Sequence, residues 1–333
     1  MASPVLVLAL LFLALFNFFL WTRYPGTNTF DRNNNGNKDE EDYGQMLNRI
    51  EQDIGGLQNI ERQLRIYNGR NDKSSDKPSD KSDNPNTSVG FEEMMQNAIR
   101  MSKEQIPLRK RTLKAMVKND TYWLLYGSLA SEVFCPQKIR IGAIGDGGKW
   151  MCNPWSIPNN CTIISLGLNN QVDFDISLQG LLNNRCEVYG FDSATQNAMT
   201  LNQYSRIRGK AMKAFVNVVT DKTKDKYTIE DLMIESKVTN VEILKIDVEG
   251  AEKTALIPFL KKFTVCQILI EMHGGANEHA KLLKELANEN YRLFSYEING
   301  WSMSACEYSL IHESCIDKYG GKRIAYYLNF DQI

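Results

Sequence analysis

From residue 161 onward, short apolar runs alternate with segments of helical character. The runs are "CTIISLGL" (161–168), "CEVYGFD" (186–192), "KAFVNVVTD" (213–221), "VEILKIDVEG" (241–250) and "VCQILIEMHG" (265–274). Segments 228–236, 250–262 and "NEHAKLLKELANEN" (277–290) read as the helices between them. Strands that alternate with helices predict a parallel sheet covered on both faces. "YRLFSYEING" (291–300) and "KRIAYYLNF" (322–330) read as two last strands joined by a loop carrying Cys306 and Cys315. With no helix between them, they predict an antiparallel edge.

The pattern upstream is of another kind. Val5–Trp21 is uncharged over 17 residues, the lower limit for a bilayer-spanning helix at ~1.5 Å rise per residue. It ends in Phe18, Phe19, Leu20 and Trp21 with no small-x-small cleavage site, which favours a signal anchor (1–24) over a cleaved signal peptide. Segment 25–44 is polar and reads as disordered. Within 45–67, Leu47, Ile50, Ile54, Leu57, Ile60 and Leu64 form a helical stripe. It suits a short coiled coil that would pair two copies, or an amphipathic helix lying on the domain. Residues 68–90 are almost free of apolar side chains and read as a solvated linker, leaving 91–333 as the globular domain.

Charge and composition change this picture little. The 39 basic and 40 acidic residues nearly cancel, so no nucleic-acid partner is expected. Three N-x-S/T sequons, at Asn86, Asn119 and Asn160, agree with an anchored protein facing the lumen of the secretory pathway. Seven cysteines without a CxxC pair point to disulfides rather than zinc. Cys306–Cys315 and a pair among Cys135, Cys152 and Cys161 are expected, with Cys186 and Cys266 as buried thiols.

Candidate chemistry gathers at strand ends: Gly167, Asp192, Asp221, Asp247 and His273. In an open α/β sheet, ligands bind beyond the carboxyl ends of the strands. Gly167 allows a close approach at the first turn, and Asp192 can accept both hydroxyls of a ribose. "SLGLNN" is not GxGxxG, and a single glycine suits a cofactor without a pyrophosphate, of which S-adenosylmethionine is the obvious choice. "GDGGKW" (145–150) reads as a turn, and no HExxH or Cys/His zinc spacing occurs, so no metal is expected.

"LKIDVEGAE" with "QILIEMHG" resembles the FkbM-type and related methyltransferase-like proteins, a branch of the class I S-adenosylmethionine-dependent methyltransferases. "RIGAIGDGGKWMC" (140–152), "SLGLNNQVDFD" (165–175), "YGFD" (189–192) and "CEYSLI" (306–311) extend the resemblance over about 125–330. It implies an α/β, Rossmann-like fold with a seven-stranded, mostly parallel sheet, helices on both faces and an antiparallel edge strand. It also implies S-adenosylmethionine as cofactor and methyl transfer, typically to oxygen. Under that reading Gly167, Asn169, Asp192 and Asp247 bind the cofactor. Asp247 and His273, ending neighbouring strands, would supply the base that removes a hydroxyl proton. Glu249 would bind substrate or buttress the turn, and Glu252 reads as a helix-start acid. The acceptor would be a glycan or another small hydroxylated molecule.

Two other functions compete. Asp173-Phe174-Asp175 matches the DxD pattern of glycosyltransferases, although a helix-opening turn after the first strand explains it more readily. A methyltransferase fold without activity, serving as a binding protein, is the other.

Overall fold

The protein is described by a computed structural model over residues 90–330. The expected anchor, polar segment, stalk stripe with its dimer contact, and nearly all of the linker lie outside the described residues. The expectation of a single-pass membrane protein of the secretory pathway is corrected. Among the described residues no helix is long and apolar enough to cross a membrane. The longest, α1 (Phe91–Asn119), begins with Glu92 and Glu93, ends with Lys118 and buries only Met95, Leu113 and Met116.

Seven strands form the main sheet: β1 (Thr162–Leu166), β2 (Glu187–Asp192), β3 (Gly209–Lys213), β4 (Val241–Ile246), β5 (Val265–His273), β6 (Tyr291–Ile298) and β7 (Ala305–His312). Their order is β6-β7-β5-β4-β1-β2-β3. β7 runs antiparallel to both β5 and β6, while β3, β2, β1, β4 and β5 pair in parallel. The order turns back between β1 and β4, the place where a sheet of this kind opens a ligand crevice.

Successive side chains of a strand point to opposite faces, and the sheet is apolar on both. Ile164, Leu244 and Ile268 face one layer. That layer is built from α1, α2 (Tyr122–Ser128) and the helices Ile229–Glu235, Glu252–Leu260 and Ala276–Asn288. Ile163, Ile243 and Leu269 face the other. This second layer holds the helices Asp173–Leu181 and Ala198–Arg206 and an antiparallel hairpin of Lys138–Ile141 with Lys149–Cys152.

Three expectations shift. The third strand is Gly209–Lys213, not 213–221. Past it, Phe215–Val216 leaves the sheet to pair with Lys226–Tyr227, and Val218 and Val219 are exposed. Asp221 is therefore no strand end: it caps a short 3-10 turn by accepting from the Thr223 amide. The segment carrying Cys306 is strand β7 itself, and of 322–330 only Lys322–Arg323 pairs, with Val133–Phe134. Beyond that pair, buried Glu132 accepts from the amides of Tyr327 and Leu328, so a carboxylate takes the place of a neighbouring strand.

The expected pair among Cys135, Cys152 and Cys161 is Cys135–Cys152, and the rest of the cysteine pairing differs for a geometric reason. The disulfides are Cys135–Cys152, Cys161–Cys186 and Cys266–Cys315, with Cys306 a buried free thiol. Cys186 and Cys266 are thus bonded, not thiols. Cys161 and Cys186 precede the paired residues Thr162 and Glu187 of adjacent strands. Cys306 and Cys315 are separated by an extended strand, at ~3.3 Å per residue far outside disulfide reach.

Candidate active site

At the carboxyl ends of the parallel strands, and the amino end of antiparallel β7, runs one transverse row of residues. Glu297 on β6 lies opposite Glu307 on β7, which lies opposite Glu271 on β5. Asp247, Gly167 and Asp192 each follow the last paired residue, or end the strand, of β4, β1 and β2 in matching register. A cleft of about 630 Å³ opens over the row. Gly167, Asn169, Asp192, Asp247, Glu249 and His273, the expected site residues, all line it.

One end of this cleft is built from backbone. Asn169 and Asn170 both adopt the left-handed conformation (φ 45° and 57°), which asparagine tolerates better than most residues. The Asn169 amide donates to Asp192 Oδ2 (2.7 Å) and the Ala194 amide to Oδ1 (2.7 Å). Each Asp192 oxygen keeps a lone pair for a ligand. Gly167 serves the protein more directly than a ligand. At its φ of 82°, a Cβ would stand 1.6 Å from the Asp247 carbonyl oxygen, so only glycine lets β1 and β4 close together here.

The other end is built from buried charge. Lys149 is bonded to Glu307 and stands 3.9 Å from Asp247 Oδ2; Lys245 stands 3.8 Å from the same oxygen and donates to the Gly167 carbonyl. Burial and then neighbouring Lys149 lower the pKa of Lys245. Burial opposes charge on Lys149 too, but Glu307 and Asp247 outweigh it and hold the ammonium charged. Burial pushes Glu307 up to about 7, against the pull of Lys149. Burial, followed by Asp247, also raises Glu271.

His273 is ringed by acids. Its Nε2 lies 3.6 Å from Glu249 and 3.9 Å from Glu271, and its Nδ1 lies 3.8 Å from Glu252. Nδ1 has no hydrogen-bond partner, so the attraction is one of charge rather than a short bond. Glu252 first, then Glu249 and Glu271, push the imidazole pKa up to about 9 despite burial. At neutral pH it is an imidazolium. Asp247, Glu249 and His273 bring their donor atoms within 4.8 Å of one another, a spacing that suits a divalent ion. The imidazolium already supplies positive charge there.

Glu252 does more than open a helix. It is buried and accepts from the Gly250 amide (2.7 Å) and the His273 amide (3.1 Å), tying the turn after β4 to the end of β5. Glu249 is 82% exposed and carries φ 51°. Asp175 is buried against Ser165 and Tyr204 while Asp173 is exposed, so the two acids of DFD do not converge on a metal.

Residues 84–312 match the family described as "Methyltransferase domain". The chain belongs to this methyltransferase-domain family. No curated protein matches it in sequence. Among solved structures it is similar to M. capricolum TrmK in complex with S-adenosyl-homocysteine (13% identity, 48% of this chain and 66% of that one, TM-score 0.30). It is also similar to a putative ribosomal RNA methyltransferase from Plasmodium falciparum (9%, 46% and 87%, 0.34). A third is the precorrin-6y C5,15-methyltransferase of Geobacter metallireducens GS-15 (7%, 48% and 84%, 0.32). Membership rests on the domain match, and the methyltransferase domain takes S-adenosylmethionine as its cofactor.

Lys245 and Glu271, which line the cleft, and the Lys149–Glu307 pair buried beside them are missing from the expected set. Lys245 was within reach of sequence reasoning, since it precedes Asp247 by two positions and a strand repeats every two. Glu271 interrupts an apolar run, which is a signal of its own.

Proposed function

We propose that this chain transfers a methyl group from S-adenosylmethionine to an oxygen of a hydroxylated acceptor. The observation that supports this reading is the transverse row, in which Asp192, Asp247 and buried Glu271 line one cleft. Asp192, with a free lone pair on each oxygen, would hold the ribose hydroxyls, and the 167–169 turn would pack beside them. When bound, the cofactor supplies its methyl as an electrophile on sulfonium sulfur. The C–S bond breaks as the C–O bond forms, and the hydroxyl proton must leave.

His273 cannot take that proton at neutral pH, because it already carries one. Asp247 faces two ammonium groups and Glu249 stands in water. Glu271 suits the role best: it lines the cleft, and burial raises its affinity for a proton. Asp247 then serves to orient the cofactor and balance Lys149 and Lys245, and His273 serves as a fixed positive charge.

The exposed Asp173 and buried Asp175 leave the glycosyltransferase reading without its motif. Calorimetric titration of the full chain with S-adenosylhomocysteine tests the proposal. Binding that is lost in Asp192→Ala and kept in Glu271→Gln is expected. No binding by the wild type would sink it, and binding untouched by Asp192→Ala would move the cofactor elsewhere.

A further inference from the structure

Beside the main cleft is a second recess of about 260 Å³, lined by Gly145, Asp146, Glu297, Asn299, Trp301 and Glu307 among others. The two spaces share Asp146 and Asn299 as walls. The Asn299 amide reaches Glu271 Oε1 at 3.3 Å and Asp146 Oδ1 at 3.4 Å, so one side chain joins the proposed proton acceptor to the recess.

Three observations bear on what this recess takes. Glu307 is more than nine-tenths buried and lines the recess, yet its Oε2 has no hydrogen-bond partner while Oε1 is held by Lys149. A buried, unpaired carboxylate oxygen costs free energy unless a donor meets it. Trp301, on the facing loop, is 93% exposed. A flat indole at the mouth of a polar recess offers a stacking surface that its own fold does not use. Finally, charge at the wall is largely spent. Glu297 receives both Arg140 Nε (3.1 and 3.0 Å) and Trp150 Nε1 (2.6 Å), and Glu307 has Lys149. With Glu297 and Glu307 balanced and Asp146 out at the exposed edge beside the Asn299 amide, the inner wall favours neutral hydroxyl donors over a cation.

We propose that this recess is the acceptor subsite and that it takes a neutral sugar ring, which lies on the Trp301 indole and donates a hydroxyl hydrogen bond to the free oxygen of Glu307. The assignment rests on the methyltransferase reading above and names its substrate class.

Saturation-transfer difference NMR on the full chain tests it, with S-adenosylhomocysteine present and its binding measured separately by calorimetry. The probes are the methyl glycosides of glucose, galactose and N-acetylglucosamine, with choline in the same tube. Saturation of at least one glycoside is expected, weakened about tenfold in affinity by Trp301→Ala and by Glu307→Gln, as for loss of a stacking partner or a charge-assisted hydrogen bond. The Trp301→Ala change removes an exposed side chain, so it decides the matter even if Glu307→Gln fails to fold. Glycosides that stay silent while S-adenosylhomocysteine binds, glycosides that bind Trp301→Ala as well as the wild type, or choline as the dominant ligand would each overturn the subsite. Failure of S-adenosylhomocysteine itself to bind would strike the methyltransferase reading instead.

Discussion

The two ends of the cleft are made of different materials. At the β1–β2 end the ligand-facing atoms are held by backbone amides, with Asp192 fixed by Asn169 and Ala194. At the β4–β5–β7 end the floor is made of charged side chains held largely by one another, with Lys149 and Lys245 packed against Asp247 and Glu307 and Lys245 also donating to the Gly167 carbonyl. A backbone-built end keeps its shape when one side chain is lost. A charge-built end does not, because each member is desolvated and depends on its partner.

The sharpest way to break the contrast is Lys149→Ala. It strands Glu307 without its cation, and loss of ~3–5 kcal/mol is expected from urea unfolding. The double change Lys149→Met with Glu307→Leu should recover most of it. If the single variant is as stable as the wild type, the charges are not coupled. Gly167→Ala comes next. The added methyl meets the Asp247 carbonyl, and an overpacking cost of ~1–3 kcal/mol, with a positive-φ penalty added, should appear in the same assay.

A smaller effect depends on pH. The folded pKa of His273, about 9, lies above its ordinary 6.5, so its pairing stabilises the fold fully below about pH 6.5 and fades as pH rises through about 9. The gap in melting temperature between wild type and His273→Asn should close over that window. A gap constant from pH 6 to 9.5 would mean the imidazole is not held charged. Smallest of all is Glu249→Ala, expected within ~0.5 kcal/mol of wild type because its carboxylate stands in water.

The same contrast explains what could be read from sequence. Gly167, Asp192 and Asp247 are legible because a strand-ending glycine or acid is a local signal, and the strand order then sets them side by side. The Lys149–Glu307 pair is not, since 158 residues separate the partners and only the fold brings the hairpin over β7. Glu271 is legible only as an acid interrupting the apolar run "QILIEMHG"; what it faces is set by the neighbouring strands. The third strand begins four residues before the apolar run "KAFVNVVTD" suggests, and exposure of Val218 and Val219 shows that "FVNVV" leaves the sheet. Cys161 and Cys186 read as separate from each other in sequence because only strand register sets them side by side.

All six bonded cysteines belong to, or pack against, one of the two layers, the one on the hairpin side, while the lone thiol Cys306 belongs to the other. The covalent staples, spanning 17, 25 and 49 residues, thus lie on the face that also carries the acids and lysines of the cleft floor. Each staple removes roughly 3–4 kcal/mol of chain entropy from the unfolded state. The sheet is riveted on the side where mutual repulsion and desolvation would otherwise pry it open, and left to ordinary oil-like cohesion on the other.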